Sequence, residues 1–291
     1  MEKGNKNARV WKIVAVVLLM AALVCAIVAC AGKVNQESAE EVYEDLAGQT
    51  TKNQSDASSE EQQKEPETSV ESSESSEEPE PEEESPYKEL EDMGVPIPEK
   101  EINFSNMQEN VNEDIYAWIY IPDTAIDYPV LQHPTDNTYY LNYNLDGSRG
   151  YPGCIYTEDY NKKDFSDPVT VMYGHNMKDG SMFAGLHKFV DNEYFTEHPY
   201  VYVYTPDGML VYQIFAAYEY TDQHLLYTYD FSDKEIFAKY IEKVKDTRSM
   251  GAIIDEEVEV DTESHILTLS TCMANKPNNR FLVQGVLLNA D

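Results

Sequence analysis

The chain opens with an uncharged, mostly apolar run from Ile13 to Gly32. About 20 such residues are what an α-helix needs to span a bilayer, and the run predicts a membrane-crossing helix. Residues 33–86 follow a different rule. They are glutamate, serine, glutamine and proline, with almost no large apolar side chains. From Gly94-Val95-Pro96-Ile97-Pro98 onward, short apolar runs bounded by turn residues recur to the end of the chain. Runs of this kind read as strands. They fall at Trp118–Ile121, Ile126–Gln132, Cys154–Thr157, Val169–Tyr173, Tyr200–Tyr204, Met209–Glu219, His265–Ser270 and Phe281–Leu288. Pro122-Asp123-Thr124 and Thr205-Pro206-Asp207-Gly208 supply turns between neighbours. Two segments switch to helical spacing. Ser105 with Gln108 forms a capping-box pattern ahead of a short helix whose Phe104, Met107 and Val111 face the domain. Ser232 with Glu235 repeats that pattern before a longer helix carrying Ile236, Phe237, Tyr240, Ile241 and Val244 on one face. The fold class is therefore mainly β. About eight short strands in one sheet close into a barrel, with an N-terminal helix and a helix inserted before the penultimate strand.

Charge sharpens this division into three parts. Residues 33–86 hold 18 acids against 3 lysines, a net of −15. Too little apolar surface is present to offset the entropy of ordering, so the segment reads as a disordered, self-repelling stalk. Lys3, Lys6, Arg9 and Lys12 precede the apolar run. Positive charge there keeps the N-terminus in the cytoplasm and puts the rest of the chain outside. The divisions are then 1–32, a basic end and transmembrane anchor; 33–86, the stalk; and 87–291, one folded domain. Lipidation at Cys30, in Ile27-Val28-Ala29-Cys30, is the alternative form of tether. The net charge is −33, of which −21 falls on residues 87–291. Such a surface repels nucleic-acid phosphates, which excludes that partner class.

The candidate chemistry sits near the C-terminus. Thr268-Leu269-Ser270-Thr271-Cys272 places a cysteine at the end of an apolar strand, and Arg280 follows eight residues later, before the next strand. A thiolate is the reactive form of cysteine, and nearby positive charge favours it. A guanidinium can also hold the oxyanion that forms when a thiolate attacks an amide. Such a cysteine needs a proton-transfer partner. His175 is the candidate, because Gly174 precedes it at the end of the apolar strand Val169–Tyr173. His133, His187, His198, His224 and His265 are read as structural or surface residues. Outside the apolar N-terminal run the cysteines are Cys154 and Cys272. A disulfide would consume the nucleophile, so both are expected as free thiols, Cys154 buried in a strand. No His or acidic cluster has metal-ligand spacing, so neither a metal nor another cofactor is expected.

These residues carry a family resemblance. Thr-Leu-Ser-Thr-Cys with a downstream Arg, and Tyr173-Gly174-His175-Asn176-Met177 far upstream, resemble a class B sortase. So do Asp114-Ile115-Tyr116-Ala117-Trp118-Ile119, Ile126-Asp127-Tyr128-Pro129-Val130-Leu131-Gln132, Asp136-Asn137-Thr138-Tyr139-Tyr140-Leu141 and Gly180-Ser181-Met182-Phe183. Sortases are membrane-anchored transpeptidases of Gram-positive bacteria that attach surface proteins to the cell wall. The resemblance implies a sortase-type barrel whose inserted helix lies above the substrate groove. It implies cleavage after Thr in an Asn-Pro-x-Thr-like sorting signal, a thioester on Cys272, and transfer to an amine of a cell-wall precursor or a pilin. It also implies Asn137, Leu141, Ser270 and Thr271 as substrate-binding residues, with the enzyme acting as a monomer. Two other readings stand beside it: a cysteine endopeptidase that transfers to water, and a non-enzymatic scaffold on a stalk, which the intact Cys, His and Arg oppose.

Overall fold

The computed structural model describes residues 3–56 and 85–289. Nine strands form the sheet: β1 (Ile115–Tyr120), β2 (Asp127–Leu131), β3 (Ile155–Tyr156), β4 (Val169–Tyr173), β5 (Tyr200–Thr205), β6 (Gly208–Thr221), β7 (Ile253–Ile254), β8 (Ile266–Met273) and β9 (Lys276–Leu287). Their order is β5-β1-β2-β3-β4-β8-β9-β6-β7, and β5 also pairs with β6. That last pairing closes eight strands into a barrel and leaves β7 as a short addition on β6. Closure removes the exposed edges that an open sheet would present.

The apolar runs are nearly continuous because both faces of several strands are covered. Along β9, Phe281 and Val283 point into the barrel, while Leu282 and Val286 belong to a second cluster outside it. The same alternation separates Met172 from Val171 on β4, Leu267 from Ile266 on β8, and Ile214 from Phe215 on β6. Strands buried on both faces lose the simple in-and-out pattern. The outer cluster is closed by the helix Lys234–Lys245, whose Phe237, Tyr240, Ile241 and Val244 are buried.

Among the described residues seven α-helices and a 3-10 helix (Phe183–Val190) accompany the sheet: α1 (Lys3–Asp56), α2 (Lys88–Asp92), α3 (Phe104–Asn110), α4 (Tyr139–Asn142), α5 (Asn192–Glu197), α6 (Leu225–Thr228) and α7 (Lys234–Lys245). Both expected N-caps move by one or two residues. Asn103, not Ser105, caps α3, its side chain accepting from the Asn106 amide at 3.0 Å. Asp233, not Ser232, caps α7, accepting from the amides of Glu235 at 2.9 Å and Ile236 at 3.2 Å. A carboxylate is the stronger acceptor at a helix N-terminus, where the dipole also favours it.

The expected stalk divides. Residues 57–84 lie outside the described residues, whereas 33–56 continue α1 as helix. Ala39, Tyr43, Leu46 and Thr50 recur at helical spacing and are buried against the domain. Acidic composition averaged over 54 residues hides that stripe. Further up α1, Leu18, Leu19, Leu23 and Val28 are exposed, and an 18-residue window has mean hydropathy 2.5.

Candidate active site

Two pairings bring the distant candidates together. β4 and β8 run parallel, with Tyr173 opposite Ser270. His175 and Cys272 each stand two residues past that pair, so both emerge at the same end of the barrel. β8 and β9 run antiparallel, with Cys272 directly opposite Arg280. Directly opposed residues project to one face, with Cβ atoms about 5 Å apart. The register shifts between Cys272 and Met273, a bulge at the strand end. Bulges near strand ends re-aim side chains. The connection is tighter than a seven-residue loop from 273 to 279. β9 begins at Lys276, and Asn275 takes a left-handed φ of 61°, which asparagine tolerates.

The strand ends are tied by their own backbone. The Gly174 amide donates to the Ser270 carbonyl at 3.2 Å, and the Thr271 hydroxyl donates to the Gly174 carbonyl at 2.8 Å. Gly174 has no room for a side chain. A Cβ there would lie 2.5 Å from Ile155 Cδ1 and 2.7 Å from the Phe183 ring. His175 Nε2 lies 2.8 Å from the Leu141 carbonyl oxygen. A carbonyl only accepts, so Nε2 carries a proton and Nδ1 is the nitrogen with a lone pair in the neutral ring. Tyr151 meets the imidazole edge-on at 5.0 Å.

Cys272 is exposed, whereas Cys154 is buried, and burial pushes the Cys154 thiol up to about 12. Arg280 is half-buried. Its Nη1 donates to the carbonyls of Pro277 and Asn279, both at 3.1 Å. Among the described residues Nη2 and Nε make no hydrogen bond. Two further residues join here, His187 having been read as structural from the sequence. Asn176 Nδ2 donates to the Cys272 carbonyl at 2.9 Å, and His187 Nε2 lies 3.2 Å from the same oxygen. The His187 ring stacks on Phe281. Asn176 adjoins His175 in sequence, but nothing in the order of residues links His187 to position 272.

A cavity of about 380 Å³ runs from these groups. Leu141, His175, Ser270, Thr271, Cys272 and Arg280 line it, so six of the seven sequence candidates share one space. Asn137 stands outside this lining. Its amide donates to Asp159 at 2.6 Å and its carbonyl oxygen accepts from the Asp159 amide at 2.9 Å. The far wall holds Glu158 and His224, 2.5 Å apart. Burial raises the Glu158 carboxyl above its ordinary range, against the pull of His224. The stretch 220–225 ahead of α6 lines this wall, while α7 packs behind it on the barrel. The helix expected above the groove contributes no residue to this lining. Among the described residues no group of three His, Cys, Asp or Glu side chains could hold a metal ion.

A sortase-domain profile matches residues 119–288. Sortase B of Listeria monocytogenes is 38% identical over 184 residues, covering 62% of this chain and 72% of that protein. The chain belongs to the class B sortases. The substrate complex of Staphylococcus aureus sortase B superposes with a TM-score of 0.57 at 26% identity, covering 65% of this chain and 85% of that one. Clostridium perfringens sortase B gives a TM-score of 0.57 at 29% identity, covering 64% of this chain and 99% of its own. This sortase is accordingly a cysteine transpeptidase of the class that anchors surface proteins to the cell wall, acting on proteins that bear sorting signals. The barrel expected from the sequence is also the barrel of these sortases.

Proposed function

We propose that this sortase cleaves an Asn-Pro-x-Thr-like signal after Thr, with Cys272 as nucleophile, His175 as proton shuttle and Arg280 as oxyanion partner. Cys272 Sγ bonds to the threonine carbonyl carbon. His175 Nδ1 takes the Cys272 thiol proton and passes it to the leaving amine as the C–N bond to the next residue breaks, and a thioester remains. An amine of a cell-wall precursor or a pilin then attacks that carbon. Its proton passes to His175 Nδ1, the S–C bond breaks, and Cys272 returns as thiolate. Arg280 donates to the oxygen that gains charge in both steps.

One observation carries this reading: Cys272 and Arg280 are direct cross-strand partners, and His175 leaves the adjacent strand at the same level. Leu141, Ser270 and Thr271 line the cavity and form the wall for the signal peptide. Asn137 would serve the peptide only by releasing Asp159. The staphylococcal relative solved as a substrate complex has the same fold, which supports a peptide-binding groove in this one. The exposed apolar length of α1 supports a single membrane span with the catalytic domain outside.

The test is mass spectrometry after incubation with a sorting peptide, with and without an amine acceptor. An acyl adduct is expected on Cys272, lost in Cys272→Ala, and turnover should rise with amine. Cys154 is an internal control, since its buried thiol stays protonated at neutral pH. An adduct on Cys154 alone would overturn the assignment. Turnover indifferent to amine would favour an endopeptidase.

A further inference from the structure

Helix α1 reaches the domain from the apolar N-terminal run, and its contacts converge on one place. The Tyr43 hydroxyl donates to the Gly153 carbonyl at 2.6 Å and to Cys154 Sγ at 3.3 Å. Gly153 has a φ of +67°, and a Cβ on it would stand 2.8 Å from the Tyr140 carbonyl oxygen and 3.4 Å from His175 Cδ2. The backbone at 153 is therefore pressed against α4 on one side and the catalytic imidazole on the other. Cys154 continues the stitching: its amide donates to the Tyr140 carbonyl at 2.9 Å and its thiol lies 3.4 Å from the Tyr143 carbonyl. The next carbonyl along α4, Leu141, is the one that takes the His175 Nε2–H.

The other flank of His175 is held by the same helix. The Tyr43 ring meets Tyr128 edge-on, with centroids 5.4 Å apart. The Tyr128 hydroxyl accepts from the Met182 amide at 3.0 Å. Met182 bridges Asn176, and the Phe183 amide donates to the His175 carbonyl at 2.9 Å. Gln36 reaches this loop as well, donating to Asp179 at 2.9 Å. At the far end of the docked stretch Lys100 donates to Thr50 at 2.5 Å and pairs with Asp127 at 3.0 Å. One helix thus braces the segments before and after His175, with no side chain of its own in the cavity.

We propose that residues 36–50 of α1 are a positioning element for His175, with Tyr43 as its principal group and Gln36 as the second. The inference rests on His175 acting as the proton shuttle. Tyr43 touches neither substrate nor the reacting atoms. It fixes Gly153 and Tyr128, and through them the orientation of the imidazole. Small displacements of a catalytic group are costly, so the effect should appear in the chemical step rather than in substrate affinity.

The experiment uses the full chain in lipid nanodiscs. Tyr43→Phe keeps the ring on Tyr128 and removes only the hydroxyl. Gln36→Leu cuts the tie to Asp179 at an exposed site, so it keeps the question open if Tyr43→Phe folds poorly. The expected result for Tyr43→Phe is a fall in kcat of about tenfold, within the range for a displaced catalytic group. KM for the sorting peptide should stay within about twofold, and the pH profile of kcat should shift, since the imidazole environment changes. Gln36→Leu should move the same parameters in the same direction, less strongly. Unchanged kcat and pH profile in both variants would overturn the proposal. So would a loss of kcat that simply follows a lowered Tm. His175→Gln, measured beside them, separates the two readings. Its inactivity alongside fully active Tyr43→Phe and Gln36→Leu sinks this inference alone. Activity of His175→Gln sinks the proton-shuttle reading itself.

Discussion

Arg280, the proposed oxyanion partner, illustrates how little of a side chain's position need come from packing. Its backbone is fixed opposite Cys272 by the β8–β9 register, and one guanidinium nitrogen is held by the carbonyls of Pro277 and Asn279. Those two bonds fix one nitrogen of the planar group and leave the others without a hydrogen bond among the described residues. Arg280→Ala should lower kcat/KM by at least about a hundredfold, the scale of removing one oxyanion donor. Arg280→Lys should remain strongly impaired, because an ammonium keeps the charge but loses the two-pronged geometry. The melting temperature should barely move in either variant. Steady-state kinetics and a melting curve on the same preparations check this. Near-normal turnover in Arg280→Lys would show that charge alone is sufficient. Cys272, His175 and Arg280 are legible in the sequence because each adjoins the end of an apolar run marked by glycine or by a turn. His187 and Glu158 are not, since they reach the site through pairings far apart in the chain.

The elements place these residues through a few tolerances that admit one residue type. Gly174 lies where β4 stops and the histidine begins, and any Cβ there collides with Ile155 and Phe183. Gly174→Ala should cost about 1–3 kcal/mol of stability, the range for overpacking a filled site. It should also displace His175 and remove most peptide cleavage. Urea denaturation alongside a cleavage assay checks both. Full activity would show that Ile155 and Phe183 yield without moving the histidine. The strands themselves are readable as apolar runs, and α7 as a helical stripe. Their ends are less so: Asn103 and Asp233 displace the expected serine caps, and β9 starts at Lys276, where polar residues suggest loop. Backbone pairing with β8, not side-chain hydropathy, carries those first residues of β9 as a strand. The docked part of α1 escapes a reading by composition because four positions, Ala39, Tyr43, Leu46 and Thr50, suffice to seat it.

For the whole molecule, α1 changes where the catalytic domain sits. Gln36 binds Asp179 only four residues after Gly32 ends the uncharged run. At 1.5 Å per residue that is about 6 Å of helix. If the run spans the bilayer, the barrel rests near the lipid headgroups rather than out on a long tether. A fluorophore on Lys178→Cys, placed in a Cys272→Ala chain in nanodiscs, should be quenched by headgroup-attached nitroxide. Absence of quenching would put the domain farther from the surface than α1 allows. The parallel pairing of β4 with β8 has a separate consequence. Parallel neighbours cannot be joined by a tight turn, so the chain must leave after His175 and return before Cys272 by way of β5, β6 and β7. Everything in that excursion, including the cavity-lining residues Tyr220 and Asp222 to Leu225, lies between β4 and β8 and belongs to neither. New segments grafted into the connection between β6 and β8 can therefore vary the lining of the cavity, while His175 and Cys272 stay placed by β4 and β8.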